Sequence, residues 1–261
     1  MNNRLLFTAL LLLPMLVSAQ KPPENPVNLA ALQKQIQQAY GRVAASTVTL
    51  FGPQNSFKGS GVIIQPDGLI LTHGHHGLTP GTPMTVMIAG KQKVAGKLLG
   101  VNHYFDQSLI RLEGPGPYPA VSLGDPSKLK PGETCLLLGF PRIYYRDGRP
   151  PLLRIGRILG FAAHQVLSSC RTEGGDSGGP LFNLDGELLA THQMTALKGE
   201  HGAGHPSVDC YRQIREQLLA GVEIKTASTS LFPISCKYAF DPLYTEDELI
   251  EGKLLAELSW L

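Results

Sequence analysis

The sequence lacks a strong charge of either sign, since 23 Lys and Arg residues nearly balance 21 Asp and Glu residues and leave a net charge of +2 at pH 7. This near balance argues against a nucleic-acid partner, which a strongly basic surface would attract. None of the 4 cysteines lies in a C-x-x-C pair, so a zinc or redox site of that kind is not expected. Internal repeats and low-complexity tracts are also absent, which excludes repeat architectures.

Long apolar runs are absent beyond the N-terminus. After Arg4, the run Leu5–Val17 is almost wholly apolar, and Val17-Ser18-Ala19 has the small residues of a signal-peptide cleavage site. A run of about 13 residues is shorter than the roughly 20 that span a bilayer. We therefore predict a signal peptide at 1–19, cleavage after Ala19, and an exported chain, secreted or periplasmic, with no membrane span when mature.

Export makes disulfides possible, because extracytoplasmic compartments are oxidising. The cysteines Cys135, Cys170, Cys210 and Cys236 allow three pairings. A Cys170–Cys210 bridge is the preferred pairing, because these two residues flank a glycine-rich segment. Free buried thiols are the alternative.

Short β runs recur about every 10 residues between glycine and proline turns, a spacing typical of an all-β barrel or sandwich. Pro66-Asp67-Gly68 and Asp185-Gly186 are the clearest turn sequences. We predict strands at 46–51, 61–65, 69–72, 84–88, 93–99, 108–112, 135–139, 155–161, 181–182 and 187–193. The expected fold is mostly β, with two six-stranded β-barrels, a C-terminal helix and a short tail.

Helical periodicity appears on both sides of the β region. Apolar residues spaced three or four apart predict a helix over 29–40, inside an N-terminal lead-in at 20–42. The motif His205-Pro206-Ser207 opens a second helix, with Ser207 as its cap, that closes a domain at 43–221. A tail at 222–261 is predicted to end in an amphipathic helix over 245–258.

The stretch Glu173–Leu181 places one hydroxyl, that of Ser177, among glycines and a proline. Glycine allows strained backbone and close approach to a ligand. Such a loop can present a nucleophile beside backbone N–H groups that bind an oxyanion. A glycine-rich surface turn is the alternative interpretation.

A serine hydroxyl needs a base to take its proton and an anion to orient that base. Upstream, a histidine cluster at 73–76 ends one predicted strand, and Asp106 precedes another. The order along the chain is histidine, aspartate, serine. By itself Asp106 is also compatible with a cap at the end of a strand.

Three motifs in this order resemble a known family. They are GSGVIIQPDGLILTHGHH at 59–76, DQSLIRL at 106–112, and GGDSGGPLFNLDGELLATH at 174–192. The sequence is similar to trypsin-like serine proteases of the chymotrypsin fold, nearest the bacterial HtrA-like group. The resemblance spans roughly 45–200. It implies a protease domain at 43–221 and an endopeptidase that acts on protein or peptide substrates through an acyl-enzyme, without a cofactor.

The resemblance also implies roles for individual residues. Ser177 would be the nucleophile and His75, three residues after Thr72, the base. Asp106 would orient and stabilise the imidazolium, and the backbone N–H groups of Gly175 and Ser177 would form the oxyanion hole.

His73 and His76 have no role in that set. Three histidines within four residues resemble the start of the H-x-H-x-D-H metal run of metallo-β-lactamase-like hydrolases, but Gly77 and Leu78 replace its last two ligands. We therefore predict no metal site, with a polar rim as the role of these histidines. A metal-dependent hydrolase stays an alternative.

The residues around the serine suggest a substrate preference. Arg171 stands six residues before Ser177, where trypsin has the aspartate that binds basic side chains. Thr172 and His192 stand where glutamate-specific relatives carry a hydroxyl and a histidine. We expect cleavage after Glu or Asp, since these groups can bind a carboxylate. In the alternative, Arg171 faces solvent or pairs with Glu173, and His192 is an ordinary strand residue.

The sequence departs from the family in two respects. It has no Ile-Val-Gly-Gly start whose freed amine would pair with Asp176, so activation by that route is not expected. About 40 residues follow position 221, too few for a PDZ domain, and we predict none. A binding or regulatory protein that keeps this fold without turnover is the further alternative.

Overall fold

The computed structural model describes residues 28–225, with gaps at 90, 145–147, 163 and 196–201. The predicted signal peptide, the helix over 245–258 and Cys236 lie outside the described residues. The two helices within them, α1 at Leu29–Val43 and α2 at Val208–Leu219, are not long and apolar enough to cross a membrane. The strands are β1 Thr47–Gly52, β2 Ser56–Gln65, β3 Leu69–His73, β4 Pro83–Ile88, β5 Gln92–Asn102, β6 Gln107–Leu112, β7 Thr134–Gly139, β8 Leu152–Ala162, β9 Gln165–Ser168, β10 Pro180–Phe182, β11 Leu188–Thr191, β12 Met194–Thr195, β13 Ala203–Pro206 and β14 Glu223–Ile224.

The first barrel is a closed ring of six antiparallel strands in the order β4-β1-β2-β3-β6-β5, in which β5 also pairs with β4. Alternating residues of each strand point inward and form an apolar core that includes Val48, Leu50, Ile63, Ile70 and Ile110. The predicted turn joins β2 to β3, where Gly68 has φ +87° and donates its N–H to the Gln65 carbonyl at 3.0 Å. Closure leaves this barrel with few unpaired edges.

The second sheet is curled but open, with its strands in the order β11-β10-β7-β8-β9-β13-β12. An isolated bridge between Ala190 and Ser207 brings β11 towards the chain that leaves β13. The prediction of a mostly β fold is confirmed, and the first unit is a six-stranded barrel as predicted, whereas the second unit is an open, curled sheet of seven strands and not a second six-stranded barrel. The prediction of a helix that opens after Ser207 is confirmed, because α2 begins at Val208, but His205 and Pro206 just before it lie in strand β13, which was not predicted.

The helices pack where the two β units meet. α1 buries Ile36, Ala39 and Val43 on one face, and α2 buries Tyr211 and Ile214 among others. Their apolar side chains share one core cluster with residues from both β units. As predicted, Ser207 caps α2, and its side chain accepts the Asp209 N–H at 3.1 Å.

The first residues of the predicted tail belong to the folded unit. β14 pairs in parallel with β5, where the N–H groups of Val101 and His103 donate to the carbonyls of Val222 and Ile224 at 3.1 and 2.8 Å. Residues 222–224 therefore extend the sheet of the first barrel.

The predicted Cys170–Cys210 disulfide is wrong, because neither of these cysteines is in a disulfide. Cys210 lies on α2 and donates its S–H to the His164 carbonyl at 3.4 Å. Cys170 instead lies against Cys135 of β7, with 4.0 Å between the two sulfur atoms. The alternative, buried thiols without a disulfide, holds for Cys135, Cys170 and Cys210.

Candidate active site

The register of β3 against β6 brings the histidine cluster beside the aspartate. These antiparallel strands pair His73 with Gln107 at their ends. The residues just beyond that pair, Gly74 and His75 on one side and Asp106 on the other, therefore leave the sheet together. The Gly74 N–H donates to Asp106 Oδ1 at 2.9 Å and fixes the carboxylate.

Three side chains form a continuous hydrogen-bonded line. His75 Nδ1 lies 2.8 Å from Asp106 Oδ2, and His75 Nε2 lies 3.0 Å from Ser177 Oγ. A carboxylate accepts only, so Nδ1 carries the proton and Nε2 is free to accept from the serine. Asp106 is buried, whereas the His75 side chain is 48% exposed. The structure thus brings together the three residues that the sequence singled out.

Asp106 has a left-handed backbone, with φ +52°. Aspartate and asparagine tolerate this conformation better than other side chains with a Cβ. The turn before β6 therefore favours the residue type that the hydrogen bonds require.

The other two histidines of the cluster are buried and hydrogen-bonded within the barrel. His73 Nε2 donates to the Lys58 carbonyl at 2.8 Å. His76 Nδ1 accepts the Leu78 N–H at 3.1 Å, so its Nε2 carries the proton that it shares with Ser108 Oγ at 3.1 Å. Burial lowers the pKa of His73 well below its usual range and that of His76 to about 4. Both rings are therefore neutral near pH 7, and the predicted polar rim is instead part of the interior.

Nitrogen and oxygen atoms of His73, His75 and Asp106 lie within 4.8 Å of one another, close enough to be considered as metal ligands. In this arrangement His73 Nε2 is engaged by a backbone carbonyl, and both nitrogens of His75 have partners. The geometry therefore fits a proton relay better than a metal centre.

The loop between β9 and β10 carries Ser177 between two glycines whose backbone conformation would strain any residue with a Cβ. Gly175 has φ +109° and Gly178 has φ +79°. A Cβ on Gly175 would lie 2.6 Å from the backbone nitrogen of Arg142, and one on Gly178 would overlap the Ser60 carbonyl oxygen. These close approaches explain why the loop is rich in glycine.

Backbone contacts to this loop come from both β units. Ser60 of β2 donates its N–H to the Ser177 carbonyl and its hydroxyl to the Gly175 carbonyl, both at 2.8 Å. The Arg142 N–H donates to the Gly174 carbonyl at 2.8 Å. Within the described part of the chain, the N–H groups of Gly175 and Ser177 donate to no protein acceptor. Both are thus available to an oxyanion.

The sequence interpretation missed Ser60, although it lies between two glycines of the first quoted motif. Its hydroxyl also accepts the Phe140 N–H at 2.9 Å. One side chain thus joins the first barrel, the end of β7 and the serine loop. No feature of the motif distinguished this role from that of an ordinary strand serine.

Asp176, directly before the serine, is fully buried and paired with Arg154 of β8. The Arg154 Nη2 lies 2.8 Å from Asp176 Oδ2, and Nη1 lies 3.1 Å from Oδ1. Burial raises the pKa of Asp176, and the positive charge of Arg154 offsets part of that rise. The sequence interpretation missed Arg154, although a buried aspartate requires a cation.

The residues predicted to select the substrate differ in exposure. Thr172 and His192 are buried, whereas Arg171 is exposed. The ring centroid of His192 lies 5.2 Å from that of His205, whose Nε2 lies 2.8 Å from Ser168 Oγ. Burial, followed by the charges of His205, His75 and Arg154, lowers the pKa of His192.

A cavity of about 300 Å³ lies beside the nucleophile. His75, Gly175 and Ser177 line it, together with the cationic residues Lys58 and Arg142. The Lys58 ammonium donates to the His76 carbonyl at 3.1 Å. The cavity therefore places the hydrogen bond between His75 and Ser177 beside two positively charged side chains.

Comparisons with known proteins agree with this architecture. The pattern of the trypsin-like peptidase domain family matches residues 59–190. A probable periplasmic serine endoprotease DegP-like of Marinomonas sp. is 34% identical over 144 residues, 54% of this chain and 30% of the relative. Putative protease Do-like 14 of Arabidopsis thaliana is 26% identical over 205 residues, 70% of this chain and 48% of the relative.

Among solved structures, the HtrA-type protease AlgW with decapeptide superposes with a TM-score of 0.62 at 16% identity, over 72% of this chain and 69% of that one. This likeness shows the chymotrypsin-like fold. The chain spans about 30% of the length of the DegP-like relatives that it matches.

Proposed function

Because the chain belongs to the trypsin-like peptidase domain family, we propose that it is an exported serine endopeptidase that hydrolyses peptide bonds through an acyl-enzyme on Ser177. One observation carries the proposal, the continuous line from Asp106 through His75 to Ser177 with contacts of 2.8 and 3.0 Å. Two N–H groups without a protein acceptor, among the described residues, lie in the same loop.

The proposed reaction follows from this geometry. Ser177 Oγ attacks the scissile carbonyl while His75 Nε2 takes its proton, and Asp106 stabilises the imidazolium through Nδ1. The N–H groups of Gly175 and Ser177 bind the negative oxygen of the tetrahedral intermediate. His75 then protonates the leaving amine, and a water activated by the same nitrogen hydrolyses the acyl-enzyme.

The neutral state of the neighbouring histidines supports His75 as the base. The ring centroid of His73 lies 4.1 Å from that of His75. A charge on His73 would oppose the formation of the imidazolium at this distance. Burial lowers the pKa of both His73 and His76, so His75 becomes charged without a like charge beside it.

Export to the periplasm is part of the proposal. The DegP-like relatives are named as periplasmic endoproteases, and the sequence begins with a predicted signal peptide at 1–19. Removal of the signal peptide during export would leave a mature chain that begins at Gln20. N-terminal sequencing of the protein from the periplasmic fraction tests this prediction.

A preference for Glu or Asp before the scissile bond is the finer proposal. Thr172 and His192 are buried near the nucleophile loop, and the Gly178 N–H of that loop donates to the His192 carbonyl at 2.8 Å. The hydroxyl and the imidazole N–H suit a substrate carboxylate. Peptides identical except for Glu, Leu or Arg at this position test the preference, and equal cleavage of the three would contradict it.

A fluorophosphonate probe tests the proposed activity, because it labels only an activated serine. Labelling that is lost in Ser177→Ala and kept with a chelator supports a serine endopeptidase. A folded wild-type protein that is not labelled would instead indicate a binding protein without turnover. Hydrolysis that a chelator abolishes, without labelling, would indicate a metal-dependent hydrolase.

A further inference from the structure

A buried ion pair lies directly behind the nucleophile loop. The Asp176 side chain is 0% exposed and that of Arg154 is 12% exposed. Two parallel contacts of 2.8 and 3.1 Å join the guanidinium to both carboxylate oxygens. This two-pronged geometry fixes the orientation of the carboxylate as well as its distance.

The same carboxylate shapes the loop. Asp176 Oδ2 also accepts the Glu173 N–H at 2.9 Å, while the Asp176 N–H donates to the Glu173 carbonyl at 3.0 Å. The Asp176 carbonyl accepts the Gly179 N–H at 2.7 Å. These bonds enclose the turn that contains Gly175 and Ser177, and the bond from the Glu173 N–H ties the start of that turn to the Asp176 carboxylate.

We propose that Arg154 is a positioning residue, whose guanidinium holds Asp176 and through it keeps the Gly175–Ser177 turn in the shape that binds the oxyanion. This inference rests on the proposed function and extends it to the state of the enzyme before it meets substrate. The cation that the buried aspartate needs is part of the folded chain. The oxyanion site therefore forms without the release of an N-terminal amine.

The surroundings of Asp176 leave it little freedom to find another partner. Gly139 at the end of β7 is so close that a Cβ there would overlap Asp176 Oδ1. Without Arg154 the carboxylate would be buried without a countercharge, and it would have to bind a proton or leave its site. Departure of the carboxylate would remove its contact with the Glu173 N–H, and protonation would weaken that contact.

The first experiment compares Arg154→Gln with Arg157→Gln. Arg157 lies on the same strand and carries the same charge, but it contacts the Gly132 carbonyl and Thr134 at the surface. We expect Arg154→Gln to lower kcat for a peptide amide at least 100-fold with KM within threefold. The affinity for a peptide boronate, which mimics the tetrahedral intermediate, should fall by a similar factor. Arg157→Gln should stay within twofold of the wild type.

Two further variants separate positioning from loss of folding. Arg154→Lys keeps the charge without the two-pronged contact and should recover part of kcat. The double variant Arg154→Gln/Asp176→Asn removes both charges and should exceed Arg154→Gln in thermal stability. An Arg154→Gln protein that is folded and retains wild-type kcat and boronate affinity would overturn the proposal.

Hydrogen–deuterium exchange distinguishes failure of this inference from failure of the proposed function. If the wild-type protein proved inactive, faster exchange in the peptide covering 171–179 of Arg154→Gln, and not of Arg157→Gln, would still support the role of Arg154. Unchanged exchange there would contradict it.

A second test uses the N-terminus. Chains that carry a blocked, extended N-terminus ahead of residue 20 should match the kcat of the chain that begins at Gln20. A loss of more than tenfold in the blocked chain would show that a free terminal amine, and not Arg154, completes the site.

Discussion

The two β units contribute to the candidate site in different ways. The closed first barrel presents His75 and Asp106 at the ends of two paired strands, where the register of β3 against β6 fixes their positions. The open second sheet contributes a loop between β9 and β10 that lies outside the paired strands. That loop depends on Arg154, Ser60 and the Arg142 N–H for its shape.

This difference separates the two tasks of the proposed chemistry. The two side chains that orient and accept the proton, Asp106 and His75, lie just beyond the end of the ladder between β3 and β6, whose register fixes their positions. The groups that would receive negative charge are backbone N–H groups, whose positions depend on the conformation of the loop. Changes at His75 and Asp106 should therefore affect the chemistry alone, whereas changes in the second unit should also affect the order of the loop.

The largest expected effect comes from Asp106→Asn in the first barrel. Asparagine tolerates φ +52°, so the backbone should stay in place while the carboxylate that orients His75 is lost. We expect kcat to fall about 10⁴-fold, as for the same change in other serine–histidine–aspartate triads, with exchange in the 171–179 loop unchanged. Peptide hydrolysis and hydrogen–deuterium exchange provide the measurements. Faster exchange in that loop would contradict the inference that Asp106 affects the chemistry without affecting the order of the loop.

The next effect comes from Gly175→Ala in the second unit. Its φ of +109° and the atoms at 2.6 and 2.8 Å from a Cβ leave no room for alanine. Displacement of one oxyanion donor should lower kcat about 10²- to 10³-fold, and the loop should exchange faster. Titration with a peptide boronate measures the lost affinity. Wild-type affinity in this variant would mean that the N–H of Gly175 does not bind the oxyanion.

Acidification should destabilise the protein through its buried histidines. Burial lowers the pKa of His76 to about 4 and that of His205 to about 3, below the ordinary value of about 6.5. The unfolded chain therefore binds protons that the folded chain does not, and stability present above pH 6.5 is lost as the pH falls. We expect each such histidine to lower the free energy of unfolding by about 1.4 kcal/mol per pH unit between about pH 6 and pH 4.

Denaturant unfolding between pH 7 and pH 4 measures that slope. The variant His205→Gln in the second unit should reduce it by the contribution of one histidine, because glutamine can keep a hydrogen bond to Ser168 but does not titrate. A slope equal to that of the wild type would contradict the role assigned to His205.

The smallest effect is expected at Gly41, far from the loop. Gly41 lies in α1, and a Cβ there would meet no atom within 4 Å. Alanine should raise the free energy of unfolding by about 0.5–1 kcal/mol, because glycine costs helix stability, and should leave kcat unchanged. Thermal unfolding and peptide hydrolysis check this prediction, which is also the control for Gly175→Ala. A loss of stability here would show that α1 makes contacts beyond those described.

The same contrast explains what could be predicted from the sequence. The strands of the first barrel follow from short apolar runs between turn motifs, and all six were predicted, although β2 begins five residues before the predicted start at Gly61. In the second unit β9, β12 and β13 were missed. They are short, and His205-Pro206 at the end of β13 was interpreted only as the start of the helix that follows.

Within the site, His75, Asp106 and Ser177 were identifiable because their motifs are local and ordered along the chain. The contacts that shape the loop were not, since Arg154 lies 22 residues from Asp176 and Ser60 lies 115 from Gly175. Pairs formed by tertiary packing have no periodic signal in the sequence. The disulfide prediction was wrong for the same reason, because which thiols approach each other depends on tertiary packing.

Trapping of an acyl group on Ser177 tests the central claim most directly. The mature protein would be mixed with a peptide ester, quenched in acid within the first turnover, and measured by intact-protein mass spectrometry, with Ser177→Ala as the control. We predict a mass increase of one acyl group that maps to the peptide containing Ser177 and is absent from the variant. Product release by the wild type without any acylated protein at any time would contradict the account.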